Sequence, residues 1–244
     1  MLKSVNVFAS AEELAHSLAG IIIRDLDRLS PDEYYSIALS GGSTPMTFFR
    51  ILADHYSDTV TWEKVLIFWG DERCVSPESN ESNFKMANDI LLRNVGIPDT
   101  NIFRIRGEAD PEEEAAGYSS VIRDNLPDVN GAPQIDLMLL GLGDDGHTAS
   151  IFPDHIKLFN SHNLFEATVK PDGKQKRITA TGRLINNSAK VVFLVTGAGK
   201  AEIVSSLIDQ RQGYEQYPAS RVRPSAGILM WYLDADAASM LKGR

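Results

Sequence analysis

An α/β fold, built on a Rossmann-like, mainly parallel sheet with helices on both faces, is the architecture to which this chain of 244 residues points. Three observations carry that reading. Stretches with strand character alternate with stretches of helical periodicity along most of the chain. Several of the strand stretches are almost wholly apolar, as strands covered on both faces must be. The polar, glycine-bearing segments follow strands, where ligand loops of an open parallel sheet emerge.

The elements follow in order. "VNVFA" reads as a short first strand. Ser10 and Glu13 have the spacing of a capping box, and Leu14, Leu18, Ile22, Leu26 and Leu29 then recur at helical spacing. "YYSIALS" is a second strand. Gly41-Gly42 and a helix starting near Pro45 come next, since a proline suits a first helical turn. "KVLIFWG" is a third strand, and a polar loop leads to the helical "NFKMANDILLRNV". A helix near 110–126 precedes the apolar strand "IDLMLLG". The strands "RITATG" and "KVVFLVTG", the helix "GKAEIVSSLIDQ" and the strand "GILMWYLD" complete the pattern. With no repeat, low-complexity tract or Pro/Ser-rich linker, residues 1–244 read as a single domain.

Composition narrows the function. The formal net charge of −9 disfavours nonspecific nucleic-acid binding, although a basic pocket can sit within an acidic total. No apolar run is long enough to span a bilayer, and "MLKSVNVFASAEEL" lacks a signal peptide's apolar core. A single cysteine, Cys74, excludes an internal disulfide and a multi-cysteine metal site, so a reducing cytoplasm is the expected compartment. The oligomeric state is open, with a monomer the default.

Four polar loops carry the chemistry: "SGGST", "GDER", "GDDGH" and "GAGK". Right-handed crossovers would bring all four to one rim of the sheet. In "SGGSTP", residues 40–45, Gly41 and Gly42 let the backbone approach a ligand. Ser43 and Thr44 add hydroxyls at a helix N-terminus suited to phosphate. The plainer alternative is a tight turn with Thr44 as N-cap. In "GDERCV", Arg73 is a candidate bidentate anion grip. Asp71 and Glu72 read as a surface salt-bridge cluster, and Cys74 as a small hydrophobe rather than a nucleophile.

The segment "LMLLGLGDDGHTASIFP" contains Gly141-x-Gly143-x-x-Gly146, the spacing of a dinucleotide loop. Asp144 and Asp145 would oppose a pyrophosphate there, and Pro153 arrives too early for the long helix of a βαβ unit. Acid–base chemistry fits better. His147 is a candidate general base, with Asp145 two residues earlier to fix its tautomer and Gly146 between them to allow a sharp turn. His16, His55, His155 and His162 lack comparable settings, though His155 and His162 lie near enough in sequence to stand as backups. "TGAGKAE" fails as a nucleotide P-loop, because Leu194 and Ala201 stand where glycine and Ser/Thr are needed. Lys200 is left as either a point charge for one phosphate or a solvated lysine. Arg177, opening "RITATG", faces either the same site or solvent. No His/Asp/Glu cluster has metal-ligand spacing.

Together these stretches resemble the 6-phosphogluconolactonase family. The resemblance rests on "ALSGGSTP", "FWGDERCVSPESNESNFKMA", "IDLMLLGLGDDGHTASIFP", "RITATGRLINNSAKVVFLVTGAGKA" and "RPSAGILMWYLDADAA", in order from near residue 37. It implies hydrolysis of 6-phosphoglucono-1,5-lactone to 6-phosphogluconate in the oxidative pentose phosphate pathway, with no metal or organic cofactor. Carried over by position, it implies His147 as the base activating water and Asp145 as its orienter. Arg73 and Lys200 would hold the anionic substrate, with the Gly41–Thr44 loop around the phosphate. Asp144 and Asp154 depart from the glutamate and glycine that family members often carry there. Two rivals stand beside this reading. A glucosamine-6-phosphate deaminase or sugar-phosphate isomerase would place an acid before Pro153, where "TASIFP" has none. A non-catalytic sugar-phosphate sensor would need an attached DNA-binding segment, for which the α/β pattern leaves no room.

Overall fold

The computed structural model describes residues 2–242. In chain order the elements are β1 (Leu2–Phe8), α1 (Ala11–Leu26), β2 (Tyr35–Leu39), α2 (Ser43–Tyr56), β3 (Val65–Trp69), β4 (Asp71–Arg73), α3 (Asn83–Ile90) and α4 (Pro111–Asn125). They continue with β5 (Asp128–Val129), β6 (Ala132–Pro133), β7 (Leu137–Leu140), β8 (Phe165–Val169), β9 (Lys176–Ala180), α5 (Gly182–Ile185), β10 (Lys190–Val195), α6 (Ala201–Ile208) and β11 (Ile228–Asp234).

Six strands form a parallel sheet in the order β1-β11-β10-β7-β2-β3, with helices around it. Every residue of β2 and of β7 is buried, which accounts for their apolar character, broken only by Ser36 in β2. The first helix bears out its capping box. Ser10 Oγ accepts from the Glu13 N–H at 3.2 Å, and Glu13 accepts in return from the Ala9 N–H at 3.0 Å. Leu14, Leu18, Ile22 and Leu26 are its buried stripe.

The chain steps from β2 to β3 in one direction across the sheet. After β3 it returns to the other side of β2 and then runs outward through β7, β10 and β11. The order therefore reverses between β2 and β7, and the crevice outside the carboxyl ends of these strands is where such sheets bind ligands. The loops starting at Ser40 and Gly141 leave the sheet there.

Two expectations need correction. "GDER" is not simply a loop: Asp71–Arg73 forms β4. "RITATG" does not join the main sheet. Its Lys176–Ala180 stretch is the middle strand of a separate antiparallel sheet, β4-β9-β8. Gly70 joins the two sheets, donating to the Leu39 carbonyl at 2.9 Å and accepting from the Ala180 N–H at 2.7 Å. A three-residue strand carries no readable periodicity, and antiparallel pairing to a distant hairpin is a tertiary event, so neither was visible locally. The consequence is functional: the small sheet hangs from the end of β3 and delivers its side chains to the ligand rim. Among the described residues no helix is long and apolar enough to cross a membrane.

Candidate active site

A cavity of about 360 Å³ opens at the reversal point. Its walls include Gly41–Thr44, Arg73, His147, Arg177 and Lys200, so all four polar loops converge on it. The volume lies within the ordinary range for small-ligand pockets.

The β7 loop folds back to seat His147. The Gly143 N–H donates to the His147 carbonyl at 2.9 Å, and the Gly146 N–H donates to the Gly143 carbonyl at 3.0 Å. Gly146 has φ +75°, a left-handed turn that glycine adopts without steric cost. Asp145 Oδ1 accepts from the His147 backbone N–H at 3.1 Å and lies 2.6 Å from His147 Nδ1. A carboxylate only accepts, so this contact assigns the proton to Nδ1 and leaves Nε2 as the basic nitrogen. No protein hydrogen bond reaches Nε2 among the described residues. The Phe152 ring lies 4.7 Å from the imidazole. A Cβ on Gly143 would fall 2.0 Å from His147 Nδ1, so this glycine clears the space the ring occupies. With its side chain 33% exposed, His147 is held at the wall and still open to the cavity.

Other groups suit an anion. Helix α2 begins at Ser43 behind Gly42 (φ +107°), and no side chain caps its first turn. Its leading N–H groups and dipole end therefore lie beside the cavity without a capping partner. Thr44 is not the N-cap; its hydroxyl is bonded to that of Thr196 at 2.8 Å. Arg73 and Arg177 are direct cross-strand partners in the β4–β9 pair. Both line the cavity, and both have a buried Nε without a hydrogen-bond partner. Arg73 Nη1 donates to the Glu81 carbonyl at 2.5 Å, and Arg177 Nη2 to Gln175 Oε1 at 2.6 Å. Burial, and then the neighbouring Arg73, lower the Arg177 pKa from its ordinary value. Lys200 also lines the cavity, ion-paired with Asp144. That hydrogen bond holds the Asp144 carboxyl below its usual range.

The expectation of a surface cluster at Asp71 and Glu72 is corrected: both are buried. Glu72 caps α3 from across space, accepting from the N–H groups of Asn83 and Phe84, each at 2.7 Å, and from Ser82 Oγ at 3.0 Å. Burial pushes its pKa up. Cys74 is partly buried and lies outside this cavity's wall. Desolvation pushes its thiol up to about 11. The backup histidines are elsewhere: His155 is bonded to Thr168, and His162 is exposed.

The model of the family described as glucosamine-6-phosphate isomerases/6-phosphogluconolactonase matches residues 9–231. The chain belongs to this family. A 6-phosphogluconolactonase of Treponema pallidum is 41% identical over 196 residues, covering 80% of this chain and 81% of that protein. One from Aggregatibacter actinomycetemcomitans is 40% identical over 210 residues, covering 84% and 87%. The solved 6-phosphogluconolactonase of Trypanosoma brucei superposes with a TM-score of 0.87 at 30% identity, covering 97% of this chain and 98% of that one.

The sequence reading did not single out Asn83, Lys170, Phe152 or Thr196, all on the cavity wall. Phe152 carried a readable signal, since it stands where the rival chemistry would need an acid. Asn83 carried none. It matters because its side chain fills the space that a Cβ on Gly41 would enter, 2.0 Å from Asn83 Oδ1.

Proposed function

We propose that this protein hydrolyses 6-phospho-D-glucono-1,5-lactone to 6-phospho-D-gluconate, with His147 as general base. The His147–Asp145 pair on the wall of a cavity rich in anion-binding groups carries this reading. Family membership and the named relatives support it.

Water attacks the lactone carbonyl carbon and gives its proton to His147 Nε2. Asp145 stabilises the imidazolium through Nδ1. The tetrahedral intermediate collapses with cleavage of the bond to the ring oxygen, which takes the proton back from His147. The products are the open-chain acid and a regenerated base. A six-membered lactone is an activated ester, so general-base assistance of about 10²–10⁴-fold is a large part of what is needed. The phosphate is held by the α2 N-terminus and its Gly41, Gly42, Ser43 and Thr44 loop, with Arg73, Arg177 and Lys200 around it. Anchoring that remote group positions the carbonyl. Phe152 beside His147 offers no carboxyl for the proton shuttling of a deaminase. A single-cysteine chain of this kind fits work in a reducing cytoplasm.

The test is a direct assay with freshly prepared 6-phosphogluconolactone beside glucosamine 6-phosphate. Acid release well above the spontaneous rate, with no ammonia from the amino sugar, is expected. Deamination without lactone hydrolysis would overturn the proposal.

A further inference from the structure

We propose that Asp71 and Ser150 are positioning residues that aim the Arg177 guanidinium into the cavity and couple it to the loop of His147, a role that rests on the lactonase reading of the site. The two residues are 5% and 0% exposed. Ser150 Oγ donates to Asp71 Oδ2 at 2.6 Å, and Arg177 Nη1 approaches that hydroxyl at 3.5 Å and the same carboxylate oxygen at 4.0 Å. The Ser150 N–H donates to Thr179 Oγ1 at 3.1 Å, two residues beyond Arg177 in β9. Ser150 thus grips β9 through both its backbone and its hydroxyl.

Ser150 is also three residues past His147, in a loop pinned to the sheet by the Thr148 hydroxyl on the Gly141 carbonyl at 3.0 Å. The other side of Asp71 is fixed as well. The Asn83 amide donates to the Asp71 carbonyl at 2.9 Å and approaches Asp71 Oδ1 at 3.5 Å. That same amide abuts Gly41. A polar chain therefore runs under the cavity from Asn83, packed against the Gly41 turn, through Asp71 and Ser150 to Arg177.

The arrangement has a physical purpose. Arg73 and Arg177 oppose one another and repel, so Arg177 needs a fixed counter-charge nearby. Asp71 supplies it from a buried, doubly held position. An anion bound by Arg177 then meets a guanidinium whose direction is already set, and less side-chain freedom is lost on binding.

Charge counting and positioning make opposite predictions. Removing the negative charge of Asp71 should strengthen anion binding if only net charge mattered. If Asp71 aims Arg177, binding should weaken. Calorimetry with inorganic phosphate and with 6-phosphogluconate on Asp71→Asn and Ser150→Ala decides between them, and it needs no turnover. We expect Kd to rise about five- to tenfold in each, in line with the ordinary net worth of one hydrogen bond. The kcat/KM preference for phosphorylated over unphosphorylated gluconolactone should fall with it, through KM more than kcat. In an Arg177→Ala background, Ser150→Ala should add little. Tighter phosphate binding by Asp71→Asn, or an undiminished effect of Ser150→Ala without Arg177, would overturn the positioning role. Failure of the wild-type protein to hydrolyse the lactone would instead overturn the functional reading, leaving the binding shifts to judge Arg177.

Discussion

Arg73 and Arg177 stand directly opposite each other across the β4–β9 pair, and both guanidinium groups reach the wall of the cavity. Two cations this close are unfavourable until an anion lies between them. Loss of either should therefore cost affinity more than chemistry. Arg73→Ala and Arg177→Ala are expected to raise KM by about tenfold or more each, matching about 1.5–3 kcal/mol for hydrogen bonds to a charged group. If they share one anion, as the proposed site requires, the double variant should be less than additive. Steady-state kinetics on the three variants checks this, and unchanged KM in both single variants would remove the anion grip.

Gly143 makes room for the imidazole. The added Cβ of Gly143→Ala would lie 2.0 Å from His147 Nδ1 and 2.7 Å from Asp145 Oδ1. A surface loop side chain yields more readily than the sheet beneath it, so His147 should swing away while the fold survives. The expected result is a loss of kcat approaching that of removing His147, with a melting temperature lowered by only a few degrees. Wild-type kcat would show that the base does not depend on this seat.

Cys74 sits one residue past Arg73, yet its thiol is pushed up to about 11. At pH 8 only about one thiol in a thousand would be ionised, about a hundredfold fewer than for an ordinary cysteine near pKa 9. Iodoacetamide should label the folded protein slowly, and Cys74→Ala should keep both kcat and KM. Rapid labelling accompanied by inactivation would reverse this reading.

Glu72 links β4 to the start of α3, and burial raises its pKa in the folded protein. The folded state then holds a proton that the unfolded chain has already released. As pH rises through the window above the unfolded glutamate pKa, stability falls by the cost of ionising Glu72 in its buried setting. Denaturant titrations of Glu72→Gln should show a flatter pH dependence across that window. They should also show a loss of about 2–3 kcal/mol near neutrality, because the amide nitrogen cannot accept from the α3 N–H groups. An unchanged pH slope would contradict the assignment.

The parts of this molecule legible in the sequence were those written locally. The Ser10–Glu13 capping box, the buried stripe of α1 and the apolar strands β2 and β7 each carry their signal within a few residues. The convergence of the four loops also followed, because parallel strands and one-handed crossovers leave little choice of rim. The Asp145–His147 pair was readable because its two residues are neighbours in sequence. Asp71 and Glu72 read locally as surface groups, since their partners lie outside the motif, Asn83 and Phe84 at the start of α3 and Ser150 far along the chain. Arg177 could not be aimed from sequence at all. Its direction depends on β9 leaving the main sheet to pair with β4.

The central claim is that His147 Nε2 takes the proton from the attacking water. The most direct measurement is kcat of His147→Ala on 6-phosphogluconolactone at neutral pH, corrected for spontaneous opening of the lactone. Circular dichroism and product-binding calorimetry on the same sample verify that fold and anion affinity persist. A fall of about 10²–10⁴-fold in kcat is expected, with the Kd for 6-phosphogluconate little changed. Turnover near that of the wild-type protein would contradict it.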